Sequence, residues 1–226
     1  MNFTDYTRTP AAMTDSYPLA TLEARELSCI RDDRELFSDL SFTLGAAQVL
    51  LIEGRNGSGK TSLLRILCGI RMPDTGSITW NGGDIYRLIT GYNACTAYVG
   101  HKDGIKLDLT AEENLIFARS LGSSSDISLS LALEQMELGG YEDLQAINLS
   151  AGQKRRLALA RLLVTRSTLW ILDEPFTSLD THGIAMVEDM VTNHLANGGM
   201  LAVTSHHPVN LGNADIQRIN LSERSA

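Results

Sequence analysis

Between the apolar run VLLI, Val49–Ile52, and the helical pattern SLLRILCGI, Ser62–Ile70, stands GRNGSGKT, Gly54–Thr61. This stretch constrains the fold more than any other. It matches G-x-x-x-x-G-K-[ST], and its flanks predict a buried strand before it and a helix after it, the context in which such a loop holds phosphate. Gly54, Gly57 and Gly59 let the backbone curl so that the N–H groups of Arg55, Asn56, Ser58 and their neighbours turn inward on phosphate oxygens. Lys60 brings a mobile cation to the outer phosphates. The Thr61 hydroxyl is placed to reach a Mg2+ ion, and Ser62 follows in the first helical turn.

A buried strand feeding a helix through such a loop belongs to an α/β sheet, and the rest of the pattern agrees. Short strand-like runs occupy Thr21–Leu44, broken by the Asp32–Asp33 pair, and SITW runs into the turn signal Asn81–Gly82–Gly83. From Leu169 strands resume as LWIL, LAVTS and QRINL, with a helix expected from Ile184 to about Leu195. Between these β-rich parts the pattern is helical. Thr110-Ala111-Glu112-Glu113 reads as a capping box opening a helix to about Leu121, and Asp126 as the cap of a second helix ending at Gly139–Gly140. The expectation is one domain over 20–226 with a mostly parallel sheet, a helical insertion over about 95–164, and a disordered tail over 1–19.

LWILDEP, Leu169–Pro175, is a buried strand ending in two adjacent carboxylates. Side chains alternate along a strand, so Asp173 and Glu174 face opposite ways and take separate tasks: Asp173 on Mg2+, Glu174 on an attacking water. TSHHP puts His206 at the tip of the next strand, where an imidazole either donates to a terminal phosphate or is plain surface. LSAGQKRR, Leu149–Arg156, opens a helix and admits two readings. Ser150 and Gln153 form an S-x-x-Q capping box, and a helix start with a small Gly152 is also an anion site.

Acidic residues outnumber basic ones by 27 to 19 for a net charge of −8, against a surface built to hold nucleic acid. No apolar run reaches the roughly 18 residues that cross a bilayer. Cys29, Cys68 and Cys95 form no C-x-x-C pair, so metal and haem-attachment motifs are absent and a reducing, cytoplasmic setting is expected.

With GRNGSGKT, LSAGQKRR, LDEP, SLD (Ser178–Asp180) and His206 in this order, the chain from about Thr21 onward resembles the ATP-binding subunits of ABC transporters. The resemblance implies an α/β P-loop NTPase fold with an N-terminal antiparallel β part and an inserted helical subdomain. ATP and Mg2+ are its expected cofactors, with Glu174 and His206 as catalytic residues. It also implies a head-to-tail homodimer in which Ser150, Gly152 and Gln153 of one copy close over ATP held by the loop of the other, with Asp180 near the seam. Two positions depart from the family pattern. His101, in AYVGHKDG, stands where a glutamine beside the metal is expected, and Arg31 where an aromatic stacks on adenine. A guanidinium plane still offers a stacking face. An imidazole still offers a metal or water ligand.

Within that family the segments GHKDGIKLDLTAEENL, LEARELSCIRDDRELF and LWILDEPFTSLD look like the ATPase subunits of haem exporters in cytochrome c maturation. This implies a peripheral subunit at the cytoplasmic face of the bacterial inner membrane, bound to integral membrane subunits of the haem exporter. No direct haem binding is expected and no nucleic acid partner. The loop Gly104–Leu109, GIKLDL, is either a membrane-partner contact or a folded-back packing loop. Two rival readings are a non-transport ABC ATPase acting on nucleic acid or ribosomes and a regulatory module that binds ATP. One set of motifs and no sustained heptads disfavour the first, and an intact Glu174 and His206 the second.

Overall fold

A computed structural model describes Tyr17, residues 19–206 and residues 208–223. Two sheets organise it. Strands β1 (Thr21–Arg31) and β2 (Arg34–Gly45) form an antiparallel hairpin. Its turn residues Asp32 and Asp33 both have positive φ, 50° and 58°, the conformation a two-residue hairpin of native twist requires. The second sheet is fully parallel. It contains β3 (Gln48–Glu53), which leads through the glycine-rich loop into α1 (Lys60–Leu67). Strands β4 (Thr75–Trp80) and β5 (Gly83–Asp84) return to the antiparallel sheet through the turn read from Asn81–Gly82, giving the order β2-β1-β4-β5.

After α2 (Ile89–Ala94), β6 (Thr96–Val99) pairs with β7 (Leu169–Asp173) in parallel. The helical insertion therefore starts after Val99 and not at Cys95. It holds α3 (Ala111–Leu121), α4 (Leu129–Gln135) and α5 (Ala151–Leu163). Then α6 (Thr181–Ala196), β8 (Met200–Thr204) and β9 (Asp215–Asn220) complete a parallel sheet of order β6-β7-β8-β3-β9.

The period of two along the central strands divides the interior between two cores. Leu50, Ile52, Ile171 and Ala202 face α1 and the antiparallel sheet. Val49, Leu51, Leu172 and Val203 face α5, α6 and the helical insertion. Strands buried on both faces have no room for alternation with polar residues, which is why VLLI and LWIL read as continuous apolar runs.

Three boundaries differ from expectation. The cap of α4 is Ser128, whose Oγ accepts from Leu131 N–H at 3.2 Å, and not Asp126. The same helix stops at Gln135, before the Gly139–Gly140 pair. Glu137 turns to φ 51° and Leu138 N–H bonds back to Leu133 O at 2.8 Å, a Schellman closure carried by a residue other than glycine. Helix α6 begins at Thr181, because Asp180 Oδ1 accepts Gly183 N–H at 2.8 Å. The segment 1–19, expected as a disordered tail, lies outside the described residues except for Tyr17 and Leu19.

Tyr17 N–H donates to Asn197 O at 2.8 Å, and its ring meets His194 edge-on at 5.1 Å. His194 is buried and stacks flat on Trp170 at 3.8 Å, so close to the turn that a Cβ on Gly199 would stand 2.3 Å from the imidazole. Burial pushes its pKa down to about 4. The unfolded chain titrates near the ordinary value, about 6.5, so between these values it takes a proton that the folded state refuses. Stability should therefore fall as pH drops from about 6.5 towards 4. Thermal melts of His194→Gln are expected to show a shallower loss across this window than the parent; an identical slope would remove His194 as the cause. No helix among the described residues is long and apolar enough to cross a membrane.

Candidate active site at the carboxyl edge of the parallel sheet

The carboxyl ends of β3, β7 and β8 converge, the position at which open α/β sheets bind ligands. The turn out of β3 is built by glycines at φ 147°, 82° and 102° (Gly54, Gly57, Gly59). Two of them are also demanded by space. A Cβ on Gly54 would lie 2.5 Å from Ser58 Oγ, and one on Gly59 3.0 Å from Leu36 Cβ. At Gly57, in contrast, a Cβ would meet nothing, so the loop is open on that side. Helix α1 starts on Gly59 with no side-chain cap, leaving its first-turn amides for an anion. Lys60 is buried, with Nζ donating to Gly54 O at 2.7 Å inside the curl. Ser58 Oγ is enclosed with no hydrogen-bond partner among the described residues.

Across from the loop, Asp173 is buried and accepts two hydroxyls, Thr61 Oγ1 at 2.8 Å and Thr204 Oγ1 at 2.7 Å. One carboxylate thus ties α1, β7 and β8 together. Glu174 lies one residue beyond the end of β7, where strand alternation no longer sets its direction. Its backbone has φ 52°, and its N–H donates to Thr204 Oγ1 at 3.0 Å. Its Oε2 accepts His206 N–H at 3.2 Å. Its Oε1, sealed from solvent, faces His206 Nε2 at 3.3 Å without forming a hydrogen bond. The imidazole is half exposed at the strand tip.

The structure brings together Gly54–Ser62, Asp173, Glu174 and His206. It leaves the other expected residues apart. His101 is exposed and makes no hydrogen bond with Thr61 or Asp173; its loop is tied to α5 through Gly100 O and Asp103 O. Arg31 ends β1 at the hairpin tip, exposed, 3.4 Å from Asp32 Oδ2. Ser150 and Gln153 complete the capping box at the start of α5: Gln153 N–H donates to Ser150 Oγ at 3.2 Å, and Ser150 N–H to Gln153 Oε1 at 2.8 Å. Ser150 is exposed, and a Cβ on Gly152 would lie 3.0 Å from Ser178 O, so the two motif turns touch. Asp180 serves as the cap of α6.

Three further residues escaped sequence reasoning. Ser222 Oγ accepts Arg55 N–H at 2.8 Å, pinning the loop to the chain end that follows β9. Thr204 links both carboxylate residues. Arg155 is buried and bonds to the ends of both β6 and β7. Only the last left a signal: positions 155, 158, 159 and 162 share one helical face, so an arginine interrupts an otherwise apolar stripe.

Comparison with known proteins agrees with this geometry. The family described as ABC transporter matches residues 37–177. The chain belongs to the ABC transporter family. Among ABC proteins it is 46% identical to the cytochrome c biogenesis ATP-binding export protein CcmA of Shigella flexneri, over 92% of this chain and 100% of that one. The CcmA of Escherichia coli K12 is equally similar, with the same coverage. A solved structure of a putative ABC transporter ATP-binding protein from Pyrococcus furiosus superposes with a TM-score of 0.78 at 25% identity, covering 91% of this chain and 100% of that one. An ATP-bound bacterial Atm1-family ABC exporter shares the fold, with a TM-score of 0.78 at 22% identity over 95% of this chain and 39% of that one. The P-loop ABC fold, with its antiparallel and parallel sheets, is the one expected from the sequence.

Proposed function

We propose that the chain is the ATP-hydrolysing subunit of a haem exporter in cytochrome c maturation. In this reading it acts as a head-to-tail homodimer on integral membrane subunits at the cytoplasmic face of the bacterial inner membrane. The observation that carries it is the pairing of an uncapped α1 start and its glycine curl with Glu174 and His206 across the strand ends. The two curated relatives, both named as cytochrome c biogenesis export proteins, supply the pathway. The reading of a nucleic-acid or ribosome-acting ATPase finds no support in them.

In this mechanism the loop amides and Lys60 bind the phosphates, with Lys60 exchanging its contact with Gly54 O for phosphate oxygen. Arg31 stacks on the base. Thr61 Oγ1 and Asp173 Oδ2, 2.8 Å apart, are hard oxygen donors of the kind Mg2+ takes, and these two residues would hold it. Bound there, the ion would neutralise charge on the phosphates. His101 stands as a third candidate ligand, exposed in the loop that leaves β6. Glu174, close to His206 and screened from bulk water, orients the attacking water and accepts its proton, while the imidazole donates to the terminal phosphate. Ser150 and Gly152 of the second copy supply a helix start to the same phosphate. Loss of that phosphate on hydrolysis then removes the bridge between the copies, a two-state switch usable by a membrane partner.

The loop 104–109 folds back, because buried Asn114 takes Lys106 N–H at 2.7 Å and donates to Lys106 O at 2.9 Å. It nevertheless leaves Leu107 exposed next to exposed Ile147, whose N–H donates to Leu107 O, and this apolar pair supports reading the loop as a contact for the membrane subunits.

The head-to-tail arrangement is tested with Ser150→Cys. Its thiol is expected to react freely without nucleotide and to be protected once MgATP closes the dimer. A thiol that stays equally reactive in an ATP-loaded assembly would place the α5 start away from the neighbour's nucleotide.

A further inference from the structure

We propose that Arg155 is a positioning residue for hydrolysis, setting from within α5 the placement of Glu174. The inference rests on the reading of Glu174 as the water-orienting carboxylate. Its guanidinium is 3% exposed and has every one of its N–H donors occupied. Nε donates to Pro175 O at 3.1 Å, and Nη2 to Asp173 O at 3.0 Å and Glu174 O at 2.8 Å. Nη1 donates to Gly100 O at 2.9 Å and to Asp103 Oδ1 at 3.0 Å. Three successive carbonyls at the exit of β7, and the loop that leaves β6, therefore converge on one side chain.

The Glu174 turn needs such support. Its φ of 52° is disfavoured for a residue with a Cβ, so the conformation persists only where neighbours over-determine it. Thr204 holds its N–H, His206 holds its carboxylate, and Arg155 holds its carbonyl. Of these three, only Arg155 belongs to the helix that begins at Ser150. The two residues are about 7 Å apart along a rigid α-helix, so a shift of the helix start moves the guanidinium with it. Arg161, farther along α5, donates Nη1 to Asp103 O at 2.9 Å and keeps the β6 exit loop on the same lever. Contact of Ser150 and Gly152 with a partner's nucleotide thus reaches the Glu174 carbonyl through a single side chain. A planar fork is required: the lysine ammonium has three donors and cannot span the five acceptors.

The test uses the full chain assembled with its membrane subunits, comparing Arg155→Lys, Asp103→Asn and Glu174→Gln with the parent. Arg155→Lys is expected to lower kcat about 10- to 100-fold, the cost of a slightly misplaced catalytic group. KM for ATP should stay within about twofold, the pattern of an interaction that matters in the transition state. Asp103→Asn should show the same split with a smaller fall in kcat. If Arg155→Lys keeps the parental kcat per ATP-binding site, with only yield or Tm reduced, the residue is structural and the proposal is overturned. If Arg155→Lys fails to fold, Asp103→Asn decides: an unchanged kcat there overturns the proposal, and a lowered kcat with unchanged KM upholds it. Full turnover in Glu174→Gln would instead remove the reading of Glu174, and the role of Arg155 with it.

Discussion

Glu174→Gln is expected to lower ATP turnover by about 10²- to 10⁴-fold, the contribution of a positioned general base, while leaving ATP binding close to the parent. The substitution keeps the shape of the side chain and its acceptor for His206 N–H, now 3.2 Å away, so the turn at the end of β7 has no reason to collapse. It removes the charge that polarises water. ATP should then persist between two copies, each held by the loop of one and the α5 start of the other. The measurement is paired: phosphate release on the assembled complex, and molecular mass by light scattering with and without MgATP. Turnover near the parental rate would count against the assignment of Glu174. A monomer that binds ATP without turning it over would sink the shared-nucleotide arrangement.

Lys60→Ala should act one step earlier, on binding. In the structure the ammonium is enclosed by the loop, donating to Gly54 O at 2.7 Å and reaching Arg55 O at 3.5 Å. On binding it moves its charge to phosphate oxygens, and a charge-assisted hydrogen bond of this kind contributes about 1.5–3 kcal/mol. The dissociation constant for ATP should therefore rise roughly 10- to 150-fold. Calorimetric titration of the full chain reads this directly, and a melting curve separates it from unfolding. The substitution also deletes the bond to Gly54 O, so a modest fall in Tm is expected beside the loss of affinity, with the variant still melting as a folded protein. An unchanged dissociation constant would mean that the lysine is only a strut of the loop.

How much of this was legible beforehand differs from element to element. The carboxylate pair was readable as two acidic residues closing the apolar run LWIL, but the reason expected for their separate contacts does not apply. Strand β7 ends at Asp173, which accepts Thr61, and the left-handed turn at Glu174 (φ 52°) is what carries its side chain to His206. Both capping boxes were readable because each bond spans three residues, within the reach of local sequence. The end of α4 was not, because Glu137 takes the left-handed conformation usually left to glycine. Its side chain is held by Arg156 Nη1 at 2.7 Å and His182 Nε2 at 2.5 Å, from two other helices. The start of the helical insertion was misplaced for a similar reason. TAYV is too short to announce a strand, and its pairing with LWIL crosses some seventy residues that hold α3, α4 and α5 with their loops.

Local chemistry by itself determined that this chain binds phosphate on an α/β sheet, since a loop of fixed glycine spacing between a buried strand and a helix has one physical use. The arrangement of groups distant in sequence was decided only by the packed structure. Strand order brought Thr204 to both carboxylate residues and Ser222 to the loop. Burial of α5 converted Arg155, one basic residue among several in KRRLALAR, into the link between two strand ends. The physical reason is that a backbone hydrogen bond or helix cap is satisfied within a few residues. A buried guanidinium or hydroxyl takes partners from whatever elements the fold packs against it.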